Sequence, residues 1–342
     1  MPSPVVDLRA SAGDLPLPDE TLLRIHALML HGRVLEERLI TMYKQGDGYF
    51  WIGGPGEEAF NVPLGLLVDK GQGPAHDYLH LHYRSAATLL AMGADPVAAL
   101  RQMKNTATDP YSGGRNFSSH ASIRIWNVVP ISSPIEVQFA MAPGTAMVQK
   151  RAGGRGITIV QGGDAGTAEG EFASCLIWSS RPANPLPVLM IVVNNRFGIS
   201  TPFEEQHGET FIADRGKAFN MPTAVIDGND PEVTYVAIQK AMEFVRTERR
   251  PFLLEVMTSR LYGHSSASGA NFVAKENDCL VLFEGKLESR GLLTRERMDA
   301  MRAEYTQDLL EASQRVRVEP APEGSSIYNF VFADKNLVGG EV

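Results

Sequence analysis

The sequence predicts an α/β fold: a mostly parallel sheet with helices on both faces, followed by a helical C-terminal region. Three observations carry this expectation. Four short runs rich in Val, Ile and Leu (ITIVQGGD, PVLMIVVNN, TAVIDGND and PFLLEVMTSR) alternate with helical segments in the middle of the chain. These runs are apolar at successive positions, as strands covered on both faces are. Polar residues gather where the runs end, and in open α/β sheets that is where ligands bind.

The elements follow in order. Residues 1–18 are rich in Pro, Ser and Gly and read as an arm ordered by contact with something else. From Asp19, a candidate N-cap, Leu22, Leu23, Ile25, Leu28, Met29 and Leu35 recur at helical spacing. Residues 56–68 and 85–105 also read as helices. Residues 106–132 are polar, aromatic and too long for a simple connector; loops of that length are usually functional or disordered. A helix rich in Ala and Met runs from about Pro134 to Arg151. The first strand then ends in Gly162, Gly163 and Asp164, and EGEFASCLIWSS is the helix after it. The second strand ends in Asn194 and Asn195, and PEVTYVAIQKAMEFVRT is the helix between the last two strands. LYGHSSASGANFVAK reads as a polar loop, helices continue to about Val316, and residues 317–342 form an extended tail lying along a surface or a partner. The α/β domain therefore covers residues 19–316.

Composition narrows the function. The 342 residues are 44% hydrophobic and 21% charged, with a net charge of -8, which argues against a nucleic-acid partner because phosphate binding needs a basic face. Cys175 and Cys279 form no CxxC pair and read as core thiols. No basic segment precedes an apolar run at the start, and no stretch of about 18 apolar residues occurs, so no membrane association is expected and the default location is cytoplasmic. Neither G-x-S-x-G nor GxxxxGK[ST] is present. His76, His80 and His82 lie close together without an HExxH frame; of these only His82, beside Tyr83, is expected near a site.

The chemistry concentrates at two strand ends. The glycine pair before Asp164 lets backbone approach an anion closely. An aspartate there would oppose a phosphate unless a cation lay between them, and magnesium commonly bridges carboxylates and phosphates. Asn195, at the end of the next parallel strand, can offer a second oxygen on the same side.

The stretch GGDAGTAEGEFASCLIWSSRPANPLPVLMIVVNN resembles the thiamine diphosphate motif. More closely, the chain resembles the alpha subunit of the decarboxylating component of 2-oxo acid dehydrogenase complexes. GGPGEEAF, HYRS, SSPIEVQ, NNRFGIST, DGND and YGHSS match in the right order between about residues 20 and 315. The resemblance implies the thiamine diphosphate-binding fold, with thiamine diphosphate and magnesium as cofactors. Asp164, Asn195 and the backbone carbonyl of Phe197 would bind the metal. Tyr83 and Arg84 would hold the diphosphate, with the backbone of Gly163, Ala165 and Gly166 nearby. Ser133 and the backbone of Ile135 would lie near the aminopyrimidine ring. His264 would be the catalytic residue, beside the diphosphate and the reacting thiazolium. The implied reaction is decarboxylation of a 2-oxo acid, with branched-chain acids ahead of pyruvate and acetoin, and transfer of the acyl group to a lipoyl group. A non-catalytic assembly subunit is the alternative of a different class.

The resemblance also implies partners: a beta subunit that supplies the glutamate activating the cofactor, in an alpha2-beta2 heterotetramer, and a lipoyl acyltransferase component. The sequence departs from the pattern in places. Ala165 replaces a glycine, Ser85 an acidic residue and Val193 an arginine, for which Arg196 is a possible substitute. Val137 stands where relatives with a potassium site have threonine, so no potassium is expected. The loop after His264 lacks paired aspartates, so phosphorylation control is not expected.

Overall fold

The computed structural model describes Leu8, residues 15–116, 118–273 and 275–329, and Val331. Among these residues the strands are β1 (Tyr78–His80), β2 (Thr158–Gly163), β3 (Val188–Asn194), β4 (Phe197–Gly198), β5 (Thr201–Pro202), β6 (Thr223–Asp227) and β7 (Phe252–Met257). The helices are α1 (Asp19–Lys44), α2 (Glu58–Leu67), α3 (Ala86–Ala91), α4 (Pro96–Lys104), α5 (Val137–Ala152), α6 (Gly170–Ser180), α7 (Asp214–Lys217), α8 (Pro231–Glu248), α9 (Cys279–Ser289) and α10 (Arg295–Arg317). Five strands form one sheet in the order β1-β2-β3-β7-β6, every pair parallel, and β4 and β5 form a separate small hairpin.

Three of the apolar runs become strands with a helix over each face, whereas β6 stands at the sheet edge and stays partly exposed, so the expectation of burial on both faces does not hold for it. In β3 all seven residues are buried. Val188, Met190 and Val192 pack with Phe139 and Ala142 of α5 and Phe172 and Leu176 of α6. The intervening Leu189, Ile191 and Val193 pack on the other face, with Phe60 and Leu64 of α2 and Ile238, Ala241 and Val245 of α8. Each large aliphatic side chain so buried contributes roughly 1.5–3 kcal/mol. A third cluster joins α1, α9 and α10 beside this sandwich.

Buried charge fixes the layers. Arg33 on α1 donates to both oxygens of Glu58 on α2 (2.6 and 2.9 Å) and to Asp278 (2.7 Å), whose carboxylate also caps α9 through Leu280 N–H. Asp77, fully buried before β1, accepts from Arg246 of α8 at 2.6 Å and from the Ile157 amide at 3.1 Å.

Several elements differ from the sequence expectation. β1 was not anticipated, because three residues are too few to show a period. α1 is capped at Pro18, and Asp19 lies in the first turn, where its charge suits the helix dipole. The helix expected over 85–105 is two helices, broken where Gly93 takes φ +100°. The helix expected from Pro134 begins at Val137, because Glu136 sits in the left-handed region with φ 61°. The arm lies largely outside the described residues, although Leu8 and Leu17 are buried. The described part of the tail lies on the chain itself: Glu319 pairs with Arg101 at 2.9 Å, and the Pro320 carbonyl accepts from Ala107 N–H. Its residues 330 and 332–342 are outside the described set.

Candidate functional site

Parallel pairing brings the polar ends of the strands to one edge. Gly163 of β2 pairs with Val193 of β3, and Asn194 pairs with Met257 of β7. Asp164 therefore leaves the sheet beside the asparagine pair, its N–H donating to the Val193 carbonyl at 3.2 Å. The two asparagines part here. Asn194 Nδ2 donates to the buried Glu255 of β7 at 2.7 Å, and the same carboxylate accepts from Ala213 N–H at 2.8 Å. Asn194 is thus committed to structure. Asn195 folds its Oδ1 onto the Phe197 N–H at 3.1 Å, and its Nδ2 is buried without a hydrogen-bond partner.

A cavity of about 350 Å³ opens at this edge. Its floor is Gly163, Asp164, Ala165 and Gly166; Tyr83, Arg84 and His264 form one side, and Ser133 and Ile135 another, with Phe197 at the rim. Asn195 is not among the lining residues, although its Oδ1 accepts from the N–H of Phe197, which is. The residues singled out in the sequence, Asn195 excepted, therefore line one cavity. A smaller, mainly apolar void of about 40 Å³ adjoins His82. The larger cavity is the candidate because convergent polar groups line it.

The helix after Asp164 does not begin at the strand end. A 3-10 turn, Ala165–Ala168, comes first, and α6 starts only at Gly170. The backbone donors near the glycine pair belong to the turn, which Thr167 closes by donating through its N–H and Oγ1 to the Asp164 carbonyl. Gly163 leaves room in front of it: a Cβ there would stand 3.8 Å from Arg84 Nη1 and 3.9 Å from His82 Nε2.

Arg84 is the buried cation of the site. It donates to His264 Nδ1 at 2.9 Å, lies 3.7 Å from Glu57 Oε1, and stacks its guanidinium 5.1 Å from the Tyr83 ring centre. Two buried carboxyls face it. Burial pushes Asp164 up to about 6, against the pull of Arg84. Burial pushes Glu57 up to about 7, again against Arg84. Glu57 adjoins Asn195, but Glu57 Oε2 and Asn195 Nδ2 do not meet in hydrogen-bonding geometry.

The histidines are neutral donors here. Burial, then the charges of Arg84 and Arg260, lowers His264 to about 4. Because arginine can only donate, Nδ1 of His264 accepts, and the neutral ring carries its proton on Nε2. Ser133 Oγ lies 2.5 Å from His120 Nε2, while His120 Nδ1 donates to the Ser118 carbonyl at 2.8 Å. This places the Ser133 proton on the bond to His120.

Several site residues were not found from the sequence. His120 comes from the long loop, whose length was the only signal. Asp109 folds that loop by accepting from Tyr111 N, Ser112 N and Ser112 Oγ, and Ser118 and Ser119 tie it to the carbonyls of Phe50 and Ile52. Phe50, Ile52 and Ile199 add apolar wall. Arg196 does not replace the missing arginine at 193: it pairs with Glu204 and lies over Phe203. Arg260, which packs 4.7 Å over the Phe197 ring and acts on Asp164, is the nearer cation. Of the three clustered histidines, His76 pairs with Asp69, His80 bonds Thr145, and His82 lines the cavity. Among the described residues no group of three or more His, Cys, Asp or Glu is arranged to hold a metal, and no helix is long and apolar enough to cross a membrane.

The family model for "Dehydrogenase E1 component" matches residues 26–325. The chain is similar to the 2-oxoisovalerate dehydrogenase subunit alpha of Bacillus subtilis, 28% identical over 327 residues, covering 93% of this chain and 97% of that protein. It is also similar to the mitochondrial 2-oxoisovalerate dehydrogenase subunit alpha of Bos taurus, 27% identical over 94% of this chain and 71% of that one. The Homo sapiens counterpart is 26% identical over 94% and 72%.

Proposed function

Because the chain belongs to the dehydrogenase E1 component family, we propose that it is the alpha subunit of a thiamine diphosphate-dependent 2-oxo acid dehydrogenase, acting on branched-chain 2-oxo acids. The observation that carries this reading is the cavity edge itself, where a buried carboxylate, an unpartnered buried amide and a glycine turn converge. The residues present suit magnesium and a diphosphate. Burial holds the Asp164 carboxyl up despite Arg84 and Arg260, and a divalent cation beside it would favour its ionised form. Asp164, Asn195 and the Phe197 carbonyl hold the metal in this reading. Tyr83 and Arg84 hold the diphosphate together with backbone of Gly163, Ala165 and Gly166. Ser133 and the backbone of Ile135 meet the aminopyrimidine.

When bound, thiamine diphosphate supplies the nucleophilic carbon and the electron sink for loss of carbon dioxide. The protein's part is placement and proton control. Arg84 fixes the His264 ring through Nδ1, so the neutral ring presents its Nε2–H as a hydrogen-bond donor that can steady negative charge developing at the reacting centre. The walls of Phe50, Ile52, Ile135 and Ile199 suit an aliphatic acyl side chain. Met141 and Val148 of α5 and Ile177 and Trp178 of α6 are exposed apolar residues on adjacent helices, a surface suited to a beta-type subunit that completes the site. The acyl group then passes to a lipoyl group on an acyltransferase partner.

Titration calorimetry with thiamine diphosphate and magnesium tests the reading. The full chain binds, and Asp164→Ala weakens binding on the order of 100-fold or more. Equal binding by the two proteins would sink the metal assignment. No binding by the unaltered chain, even with a beta-type subunit added, would favour a non-catalytic assembly role.

A further inference from the structure

Glu136 is an unusual residue for its place. It is 2% exposed and lies at the start of α5 with φ 61°, a left-handed conformation that costs a residue with a Cβ about 1 kcal/mol or more. One of its carboxyl oxygens, Oε2, is buried without a partner. Both penalties persist only where the surroundings demand that side chain in that position. The demand is visible on the cavity floor. A Cβ on Gly162 would stand 2.3 Å from Glu136 Oε2, and one on Gly166 would stand 2.1 Å from Oε1. Gly163 N–H is directed at the same carboxyl. The Glu136 side chain thus fills the space between the end of β2 and the 3-10 turn that follows Asp164, and a side chain at 162 or 166 would have to displace it.

We propose that Glu136 is a positioning residue that holds the turn Gly163–Gly166 in the shape that presents its backbone N–H groups to the diphosphate. Its own helix, α5, is anchored independently, because Phe139 and Ala142 are fully buried against β3 and α6. The carboxyl therefore acts as a strut between a rigid helix and the turn. Nothing else among the described residues stands as close to both glycines. The inference rests on the diphosphate reading of the turn, and its test separates the two.

The test uses the full chain and three variants, Glu136→Gln, Glu136→Asp and Glu136→Ala. Hydrogen exchange of the amides at 163–167 is measured without ligand, and the Kd for thiamine diphosphate with magnesium is measured by calorimetry. Gln keeps the length and an accepting oxygen; Asp is one methylene short. Glu136→Ala and Glu136→Asp are expected to speed exchange at these amides about tenfold and to raise Kd about tenfold, while Glu136→Gln stays within about threefold on both. Unchanged exchange in Glu136→Asp and Glu136→Ala overturns the proposal. Should Glu136→Ala not fold, Glu136→Asp decides it. If the unaltered chain binds no thiamine diphosphate, the cofactor reading fails, and the exchange rates still decide the role of Glu136.

Discussion

Replacing Arg84 by methionine tests the electrostatics of the site most directly. Methionine is shorter than arginine but similar in volume, so the change removes charge more than bulk. In the native protein Arg84 offsets two buried acids, Glu57 at 3.7 Å and Asp164. The sign of the effect follows from their protonation. Both acids have folded pKa values above their unfolded ones, about 7 for Glu57 and about 6 for Asp164. Each therefore opposes folding increasingly as pH rises from about 4 to about 7, and Arg84 limits that loss. Without Arg84 both values move further up, and each added pKa unit removes about 1.4 kcal/mol at high pH. Leaving a buried charge unpaired costs about 3–5 kcal/mol in comparable cases. The expected destabilisation is thus about 3 kcal/mol at pH 8. At pH 5 both acids hold protons, Arg84 has no anion to offset, and the cost falls below about 1 kcal/mol. Urea unfolding of both proteins at pH 5 and pH 8 measures this difference. Equal destabilisation at the two pH values would refute the coupling. A second readout follows in the same variant: His264, held low by burial and then by Arg84, should titrate at a higher pH by imidazole NMR.

Two further predictions concern buried charge away from the cavity. Burial pushes Glu36 up to about 7, although it accepts from Trp51 Nε1 at 2.8 Å. Its folded pKa is raised, so native stability should fall as pH rises from about 4.5 to about 7; Glu36→Gln should flatten that fall by ~3 kcal/mol in urea titrations, and an unchanged slope would count against a buried acid there. Arg33→Met leaves Glu58 and Asp278 unpaired between α1, α2 and α9, and should cost about 3–5 kcal/mol, with a second change Glu58→Gln recovering part of it. Thermal unfolding checks both steps, and additive losses would show that the two side chains are not coupled.

The readable parts of the chain were those whose physics is local. The runs at 188–194 and 252–257 are apolar at nearly every position, as a strand buried on both faces requires, and Ile159 and Val160 give a shorter version of the same signal before the glycine pair. Gly162, Gly163 and Asp164 followed by Asn194 and Asn195 marked two strand ends because glycine and asparagine stop strands and carry ligand groups. Glu57 and His120 left no such mark. Glu57 sits among other acidic residues at a helix start, and His120 stands in a loop without period. Both acquire a role only because Arg84, Asn195 and Ser133 are brought beside them from distant segments.

The asparagine pair shows the division most clearly. By itself the sequence determined that two amides end the strand, next to a turn of small residues, and that the preceding run is core. It could not separate their tasks, because both side chains have the same chemistry and are adjacent in sequence. Only the tertiary structure decided it. Pairing of β3 with β7 sets Glu255 beside Asn194 and occupies that amide, while Asn195, just past the strand end, has its Oδ1 accepting from the Phe197 N–H and its Nδ2 left without a partner. The same holds for Glu136. Its identity is plain in the sequence, but its partners are two glycines about 30 residues away, and their missing side chains matter only once the chain has folded around them.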